Sequence, residues 1–224
     1  MGETWVWRAV ALPSHLRVAT HLSHERSEAE ATTFLARFKG RTDGRAPLFT
    51  SDKLAAYLGA LINNYSTPYY YERVRSGPAP RRPGRVLDKE LLYAQIDKRR
   101  EHGRVVEVQR RILIGEERLI IRRLAGQQIN TAYVERDNLT SRQSNGRLVR
   151  KTLSHAKKDY YLQRHLDLED AAFNFVRPHQ SLRTRLARRV KGQKWQQRTP
   201  AMAAGLTDHM WTLEELLSYR LPSE

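Results

Sequence analysis

The chain has 224 residues, enough for one domain with extensions and a substantial hydrophobic core. Its 40 Lys and Arg residues against 24 Asp and Glu give a formal net charge of +16, and such an excess indicates a polyanionic partner, usually nucleic acid. The absence of cysteine excludes disulfides, cysteine-bound zinc and thiol catalysis. No apolar run approaches the roughly 20 residues that cross a membrane, and the start has no signal-peptide pattern, so we expect a cytoplasmic protein.

The first part of the chain alternates strand and helix patterns. Apolar alternation and breaker residues predict a strand hairpin, a helix, a short strand and a second helix: Thr4–Ala11 with Leu16–Leu22, Ser27–Lys39, Pro47–Ser51 and Lys53–Asn64. Asp52 comes directly after the short strand. This order of elements predicts a mixed α/β sheet.

The middle of the chain is predicted to be a loop followed by a hairpin. Tyr69–Arg85 combines arginines with prolines and has little helical or strand potential, so we expect a basic loop there. Glu90–Lys98 and Arg104–Ile114 have strand patterns on either side of a turn at Glu101-His102-Gly103. They predict a β-hairpin.

After Gly126 the pattern is mostly helical. We predict helices over Thr131–Ser144 and Ser154–Phe175 from their apolar spacing. Arg183–Arg198 is a basic run, and Trp211–Leu217 predicts a short helix near the end of the chain.

The segment Gln128–Gln143 is the most informative one. Helical spacing places Glu135, Asn138, Leu139 and Arg142 on one face. A carboxylate that holds a divalent cation and an arginine that braces a phosphate oxygen would suit a metal-bound phosphodiester. Spacing alone favours the simpler interpretation, a solvated and salt-bridged helix face.

This segment resembles the signature of DDE-type transposases of bacterial insertion sequences, specifically the insertion-sequence-one group. The resemblance continues through Arg147–Ser154 and into Asn174–Leu182, an Asn-x-x-Arg-Pro-His-x-x-Leu element that closes many transposase and integrase catalytic domains. It implies a ribonuclease-H-like α/β core over residues 1–182, with an insertion at about 69–114. Residues 183–224 would form a basic, partly helical C-terminal tail.

The resemblance also implies a metal site. Asp52 matches the second metal-binding carboxylate of the family, Glu135 the third, and Arg142 the basic residue that follows it. The expected cofactor is Mg²⁺ (or Mn²⁺). On its own, an isolated Asp before a helix is more simply explained as an N-cap.

The first carboxylate of the family lies on a strand before the Trp-x-Trp strand, which here contains Trp5 and Trp7. No Asp precedes Asp43 in this chain, so we expect the first strand and its Asp to be missing from it. The expected function is metal-dependent DNA cleavage and strand transfer at the ends of an insertion sequence, with catalysis incomplete in this chain. The alternative is an inactive, truncated transposase that only binds DNA; a nuclease or RNA-binding protein of the same fold is a weaker third interpretation.

Double-stranded DNA is the expected partner, bound by a homo-oligomer in the nucleoid. The basic residues expected to contact DNA lie in the proline-rich loop and beyond the Glu135 helix: Arg81, Arg82, Arg147, Arg150, Lys151, Lys157, Lys158 and Arg177.

Overall fold

The computed structural model describes residues 4–69, 84–149, 153, 154, 156–190 and 192–220. For residues 189 and 190 it describes the backbone and not the side chains. They form a mixed α/β structure with several small sheets. The elements are β1 (Trp5–Ala11), β2 (Leu16–Ser23), α1 (Glu28–Gly40), β3 (Leu48–Asp52), α2 (Ala56–Asn64), β4 (Ser66–Tyr69), β5 (Gly84–Leu87), β6 (Leu92–Glu101), β7 (Arg104–Ile114), α3 (Glu117–Leu124), α4 (Ala132–Ser144), α5 (Asp159–Phe175), β8 (Thr184–Val190), β9 (Gln193–Gln196), α6 (Pro200–Ala203) and α7 (Leu213–Ser218). No helix among these residues is long and apolar enough to cross a membrane.

The chain divides into two compact units. Unit 1 consists of Met1–Trp5 and Ser23–Glu135, and unit 2 consists of Val6–Leu22 and Arg136–Glu224. Helix α4 contributes its first turn to unit 1 and the rest to unit 2. The two units are described separately below.

Unit 1 contains a three-stranded sheet with β6 in the middle. β3 runs parallel to β6, with Asp52 opposite Ile96, and β7 runs antiparallel along the other side. Alternate residues of a strand point to one face, and one face of β6 packs against α3 and the segment before α4. This part of the core consists of Leu92, Ala94, Ile96, Ile120 and Ile129.

Helix α1 of unit 1 begins where the sequence predicts. The Ser27 hydroxyl accepts a hydrogen bond from the Glu30 N–H at 3.4 Å, which satisfies one of the donors that a helix start leaves unpaired. The apolar side chains that follow at helical spacing are buried: Ala31, Phe34, Leu35 and Phe38.

Unit 2 contains the β1–β2 hairpin, the long helix α5 and the C-terminal elements. Trp211 packs against Phe175 at the end of α5, with the ring centroids 4.6 Å apart, and its backbone N–H donates to the Phe175 carbonyl at 3.0 Å. Thr212 and Glu215 form a capping box that starts α7 at Leu213. The short helix predicted from Trp211 is therefore present but begins two residues later.

Two other helices begin later than their patterns predict. The Asp52 carboxylate accepts a hydrogen bond from the Leu54 N–H, and this local turn delays α2 from Lys53 to Ala56. Helix α5 begins at Asp159 rather than Ser154, because the backbone at Lys158 is extended.

The predicted hairpin between the candidate carboxylates is confirmed, with one difference. β6 and β7 pair antiparallel, but β6 is also the central strand of the unit 1 sheet, so only β7 is added to it. The predicted basic loop began at Tyr69 and ended at Arg85; the segments on either side of it, Ser66–Tyr69 and Gly84–Leu87, overlap its ends and form an antiparallel pair that the sequence analysis did not foresee. Residues 70–83 lie outside the described part.

The prediction for Arg183–Arg198 was incomplete. Most of this basic run forms the antiparallel strands β8 and β9, in which Thr184 lies opposite Gln196 and Arg185 opposite Trp195. Gly192 supports the reversal with a φ of +79°, in the left-handed region that glycine adopts without a steric penalty. The Arg183 guanidinium stacks on the Trp195 ring at 4.6 Å.

Candidate functional site

Asp52 is the last residue of β3, and its carboxylate is exposed at the end of the strand. One oxygen accepts from the Leu54 N–H at 3.3 Å, and the other lies 3.9 Å from the guanidinium of Arg26. Arg26 is itself stacked on the Trp5 ring at 4.7 Å. The Asp52 side chain is 61% exposed, so this ion pair stabilises the fold little and leaves most of the carboxylate surface accessible to a ligand.

Glu135 lies in the first turn of α4. Its Oε1 accepts a hydrogen bond from the Lys98 ammonium at 2.5 Å and another from the Thr131 hydroxyl at 2.7 Å. Partial burial acts to raise the pKa of Glu135, but the hydrogen bonds from Lys98 and Thr131 and the charges of Lys98 and Arg100 outweigh it. The pKa of Glu135 therefore lies below its ordinary value, and the side chain is ionised at neutral pH.

Asp52 and Glu135 line the same cleft in unit 1, a space of about 400 Å³. The sheet explains why: Asp52 pairs with Ile96, and β6 continues past it to Lys98, which reaches Glu135. The lining combines three carboxylates with four cationic side chains: Arg26, Asp52, Lys53, Leu54, Ile96, Asp97, Lys98, Arg100, Thr131 and Glu135.

The sequence analysis missed the residues that β6 contributes to this cleft. Asp97 lies there as an ion pair with Lys53, whose ammonium is 2.6 Å from the carboxylate. Lys98 forms the ion pair with Glu135. A rule of sheet topology could have identified Asp97 and Lys98. The carboxyl ends of neighbouring parallel strands lie at the same edge of a sheet, so a parallel pairing of β3 with β6 places the end of β6 beside Asp52.

Asp52 and Glu135 offer carboxylate oxygens, the kind of ligand that a hydrated divalent ion prefers. Mg²⁺ prefers oxygen ligands and keeps several waters, so two accessible carboxylates suffice to hold it. Within the described residues, however, no group of three or more His, Asp or Glu side chains is arranged to hold a metal ion. A metal ion held by Asp52 and Glu135 alone would have to retain water ligands, and a clamp of two ions would need further ligands.

The remaining candidate residues belong to unit 2 or lie outside the described part. Arg142 is exposed on α4, seven positions after Glu135, and belongs to unit 2. Four of the basic residues expected at DNA are exposed in unit 2: Arg147, Lys157, Lys158 and Arg177. The other four lie outside the described residues: Arg81, Arg82, Arg150 and Lys151. The assignment of these residues to DNA, and of Asp52, Glu135 and Arg142 to catalysis, stays a prediction.

A buried ionic cluster in unit 2 is the largest feature that the sequence analysis missed. The Arg17 guanidinium lies 2.9 Å from Asp137, 3.2 Å from Glu169 and 3.2 Å from Asp170, and Arg8 lies 3.3 Å from Asp137. All five side chains are less than 10% exposed. The cluster joins the β1–β2 hairpin to α4 and α5, so Asp137, although it lies inside the transposase-like segment, has a structural role.

The Asn-x-x-Arg-Pro-His element also has structural contacts. The Asn174 side chain accepts from the Arg17 N–H and donates to the Arg17 carbonyl, both at 2.9 Å, and so pairs with β2 like an added peptide group. His179 stacks on His15 with centroids 4.6 Å apart. Burial lowers the pKa of both histidines, which keeps them neutral at pH 7.

Comparison with known protein families, with curated proteins and with solved structures finds no match for this chain.

Proposed function

We propose that this chain is a transposase-type DNA-processing protein with a ribonuclease-H-like core, and that its chemistry is metal-dependent phosphodiester cleavage and strand transfer at the ends of an insertion sequence. One observation carries the proposal. The two carboxylates that the resemblance selects, Asp52 and Glu135, are far apart in sequence but line one cleft. The proposed partner is double-stranded DNA, bound by a homo-oligomer in the nucleoid.

In this proposal Asp52 and Glu135 would hold Mg²⁺ or Mn²⁺, which would supply Lewis-acid chemistry at a phosphodiester. The chain's own residues have separate tasks. Thr131 fixes the orientation of the Glu135 carboxylate, and Lys98 keeps it ionised. Arg26, beside Asp52, supplies positive charge for a phosphate oxygen.

A second candidate is a protein that binds DNA without cutting it. The observation that favours it is the pairing of the cleft carboxylates with lysines, Glu135 with Lys98 and Asp97 with Lys53. Ammonium groups in these positions oppose metal binding, whereas the positive charge around the cleft still attracts a phosphate backbone.

The experiment is a nicking assay on supercoiled plasmid with Mg²⁺ or Mn²⁺, together with binding of a labelled DNA duplex. Glu135→Gln removes a proposed metal ligand and leaves the basic surface unchanged. Glu107→Gln is the matched control, because Glu107 is an exposed carboxylate of β7 that pairs with Arg99 and does not line the cleft.

Metal-dependent nicking that is lost in Glu135→Gln and kept in Glu107→Gln would support the transposase chemistry. Duplex binding without nicking would support the second candidate. Equal nicking by both variants would show that Glu135 is not at the reacting centre, and a wild-type protein that binds no duplex would contradict both candidates.

A further inference from the structure

The β6–β7 ribbon extends well beyond the core of unit 1. Every residue from Arg104 to Arg111 on β7 is exposed, which means that both faces of the outer ribbon are in contact with solvent. At a rise of about 3.4 Å per residue these eight residues span roughly 25 Å. Three apolar side chains near the tip are 40–48% exposed: Val105, Val106 and Val108. A projecting strand pair of this kind needs a partner or charges to prevent edge association.

The two faces of the ribbon differ in charge. One face of the ribbon continues from the cleft and is here called the cleft face. It is defined by strand alternation and by two cross-strand pairs, Lys98 with Val108 and Ile96 with Arg110. It carries Lys98, Arg100 and Arg110, with Val108 between them, and beyond Asp97 in the cleft β6 and β7 add no carboxylate to it. The only carboxylate paired with these three cations in the described chain is Glu135, on Lys98.

The opposite face carries carboxylates that offset most of its positive charge. Arg99 lies 3.1 Å from Glu101 and 3.2 Å from Glu107. The pairing of Glu101 with Arg104 and of Gln95 with Arg111 places the other charges there too. Apart from Asp97, which lies in the cleft beside Lys53, the charged residues on this face are three cations and two carboxylates: Arg99, Arg104, Arg111, Glu101 and Glu107.

We propose that the cleft face of the β6–β7 ribbon is a docking surface for duplex DNA, with Arg100 on the phosphate backbone and the strand pair along the major groove. This proposal rests on DNA as the partner in the proposed function, and it adds the path by which the duplex leaves the cleft. Charge complementarity selects the occupant, since carboxylates offset most of the positive charge on the opposite face only. The major groove, about 12 Å wide, admits a two-stranded ribbon.

The chemistry of this face also fixes the kind of recognition. Valine has no hydrogen-bonding group, so Val108 can contact sugars and thymine methyl groups but cannot distinguish bases by donors and acceptors. Arg100 would contact phosphate, which is the same in every sequence. The ribbon therefore adds affinity and orientation, with little sequence specificity.

The test compares neighbouring residues on opposite faces. Binding of a labelled 30-base-pair duplex is measured by fluorescence anisotropy in EDTA, so that the metal site plays no part. Arg100→Ala should weaken binding about fivefold at 0.15 M salt and make the slope of log K against log salt shallower by about 0.9, the effect of one phosphate contact. Arg99→Ala should change neither quantity, although it removes the same charge.

A second pair adds charge outside the cleft. Val108→Glu places a carboxylate on the cleft face and should weaken binding at least as much as Arg100→Ala does, whereas Gln109→Glu places one on the opposite face and should have little effect. These exposed positions permit folding, which circular dichroism checks. Equal losses within each pair would overturn the proposal, as would face-dependent binding that is tighter for single-stranded RNA or for polyglutamate than for duplex DNA.

The outcomes also separate this proposal from the proposed function. A wild-type protein that binds and nicks DNA while Arg100→Ala behaves like Arg99→Ala would contradict the ribbon surface alone. Face-dependent binding without any nicking would leave the ribbon surface supported and the transposase chemistry contradicted.

Discussion

Lys98 is the residue on which the chemistry of the cleft most depends. Its ammonium occupies Oε1 of Glu135, a proposed metal ligand, and the same contact lowers the pKa of Glu135. These two effects oppose each other: the ammonium competes with a cation, but it also keeps the ligand ionised. Because an unperturbed glutamate is already ionised at pH 7, competition should dominate there.

We therefore expect Lys98→Met to bind Mn²⁺ about two- to fivefold more tightly than the wild type at pH 7, the range that a partly exposed ion pair of up to about 1 kcal/mol allows. Titration with Mn²⁺ followed by electron paramagnetic resonance measures it. Lys53→Met is the control, since Lys53 pairs with Asp97 instead of a proposed ligand. Weaker Mn²⁺ binding by Lys98→Met would show that the lysine supports the site.

Among the elements, the β1–β2 hairpin depends most on charge for its attachment within unit 2. Arg8 and Arg17 meet Asp137 of α4 and Glu169 and Asp170 of α5 in a nearly solvent-free cluster. Buried charges are tolerated only when they are paired, and removing one partner leaves the others uncompensated. Burial is also the main reason that the pKa of Asp170 is raised despite the two arginines.

Arg17→Met should destabilise unit 2 by about 3–5 kcal/mol, because it leaves one cation for three buried carboxylates and retains the packing volume. Urea unfolding followed by circular dichroism gives the free energy of unfolding. The control is Arg164→Met on α5, an exposed arginine 3.9 Å from Asp167, which should change stability by less than about 1 kcal/mol. Similar losses in the two variants would show that the cluster contributes no more than a surface pair.

The elements also show which parts of the structure a sequence can predict. Helix α1 and the β6–β7 hairpin follow from local information, namely a serine cap, a helical apolar face and strands around a glycine turn. The ionic cluster does not, because Arg8 and Asp137 are 129 positions apart and no local pattern connects them. The same holds for Lys98 in the cleft, whose position depends on the parallel pairing of β3 with β6. Asp52 and Glu135 were selected as site residues by family resemblance. Without it, Asp52 was more simply explained as a helix N-cap and Glu135 as part of a solvated helix face.

At the scale of the whole molecule, the formal charge of +16 governs association with polyanions. Exposed lysines and arginines release counterions when they contact phosphates, so affinity for DNA should fall steeply as salt rises. If net charge alone determined the affinity for DNA, all exposed cations would contribute equally to it. If DNA binds to a defined surface, the cations of that surface contribute more to the affinity than the others.

Alanine at the four described unit 2 residues should reduce the steepness of the salt dependence by about 3.6, because each lost phosphate contact accounts for about 0.9. The four are Arg147, Lys157, Lys158 and Arg177. Anisotropy titrations of a duplex at several salt concentrations measure the slope. The control carries the same change of charge on exposed unit 1 residues away from the cleft and the ribbon: Arg37, Arg45, Arg118 and Arg123. An equal change in both variants would mean that only net charge matters.

The position of β3 in its sheet has a consequence for assembly. Within the part of the chain that the structure describes, β6 is the one strand that pairs with β3, so β-augmentation of this sheet next to β3 would use its other edge. Neighbouring strands lie about 4.8 Å apart, and β3 ends at Asp52, so a strand added there would run directly beside a carboxylate of the cleft. Strand addition and ligand binding at Asp52 are therefore thermodynamically linked. If a ligand at Asp52 binds more tightly when the added strand is present, it must strengthen the association of that strand by the ratio of the two ligand affinities.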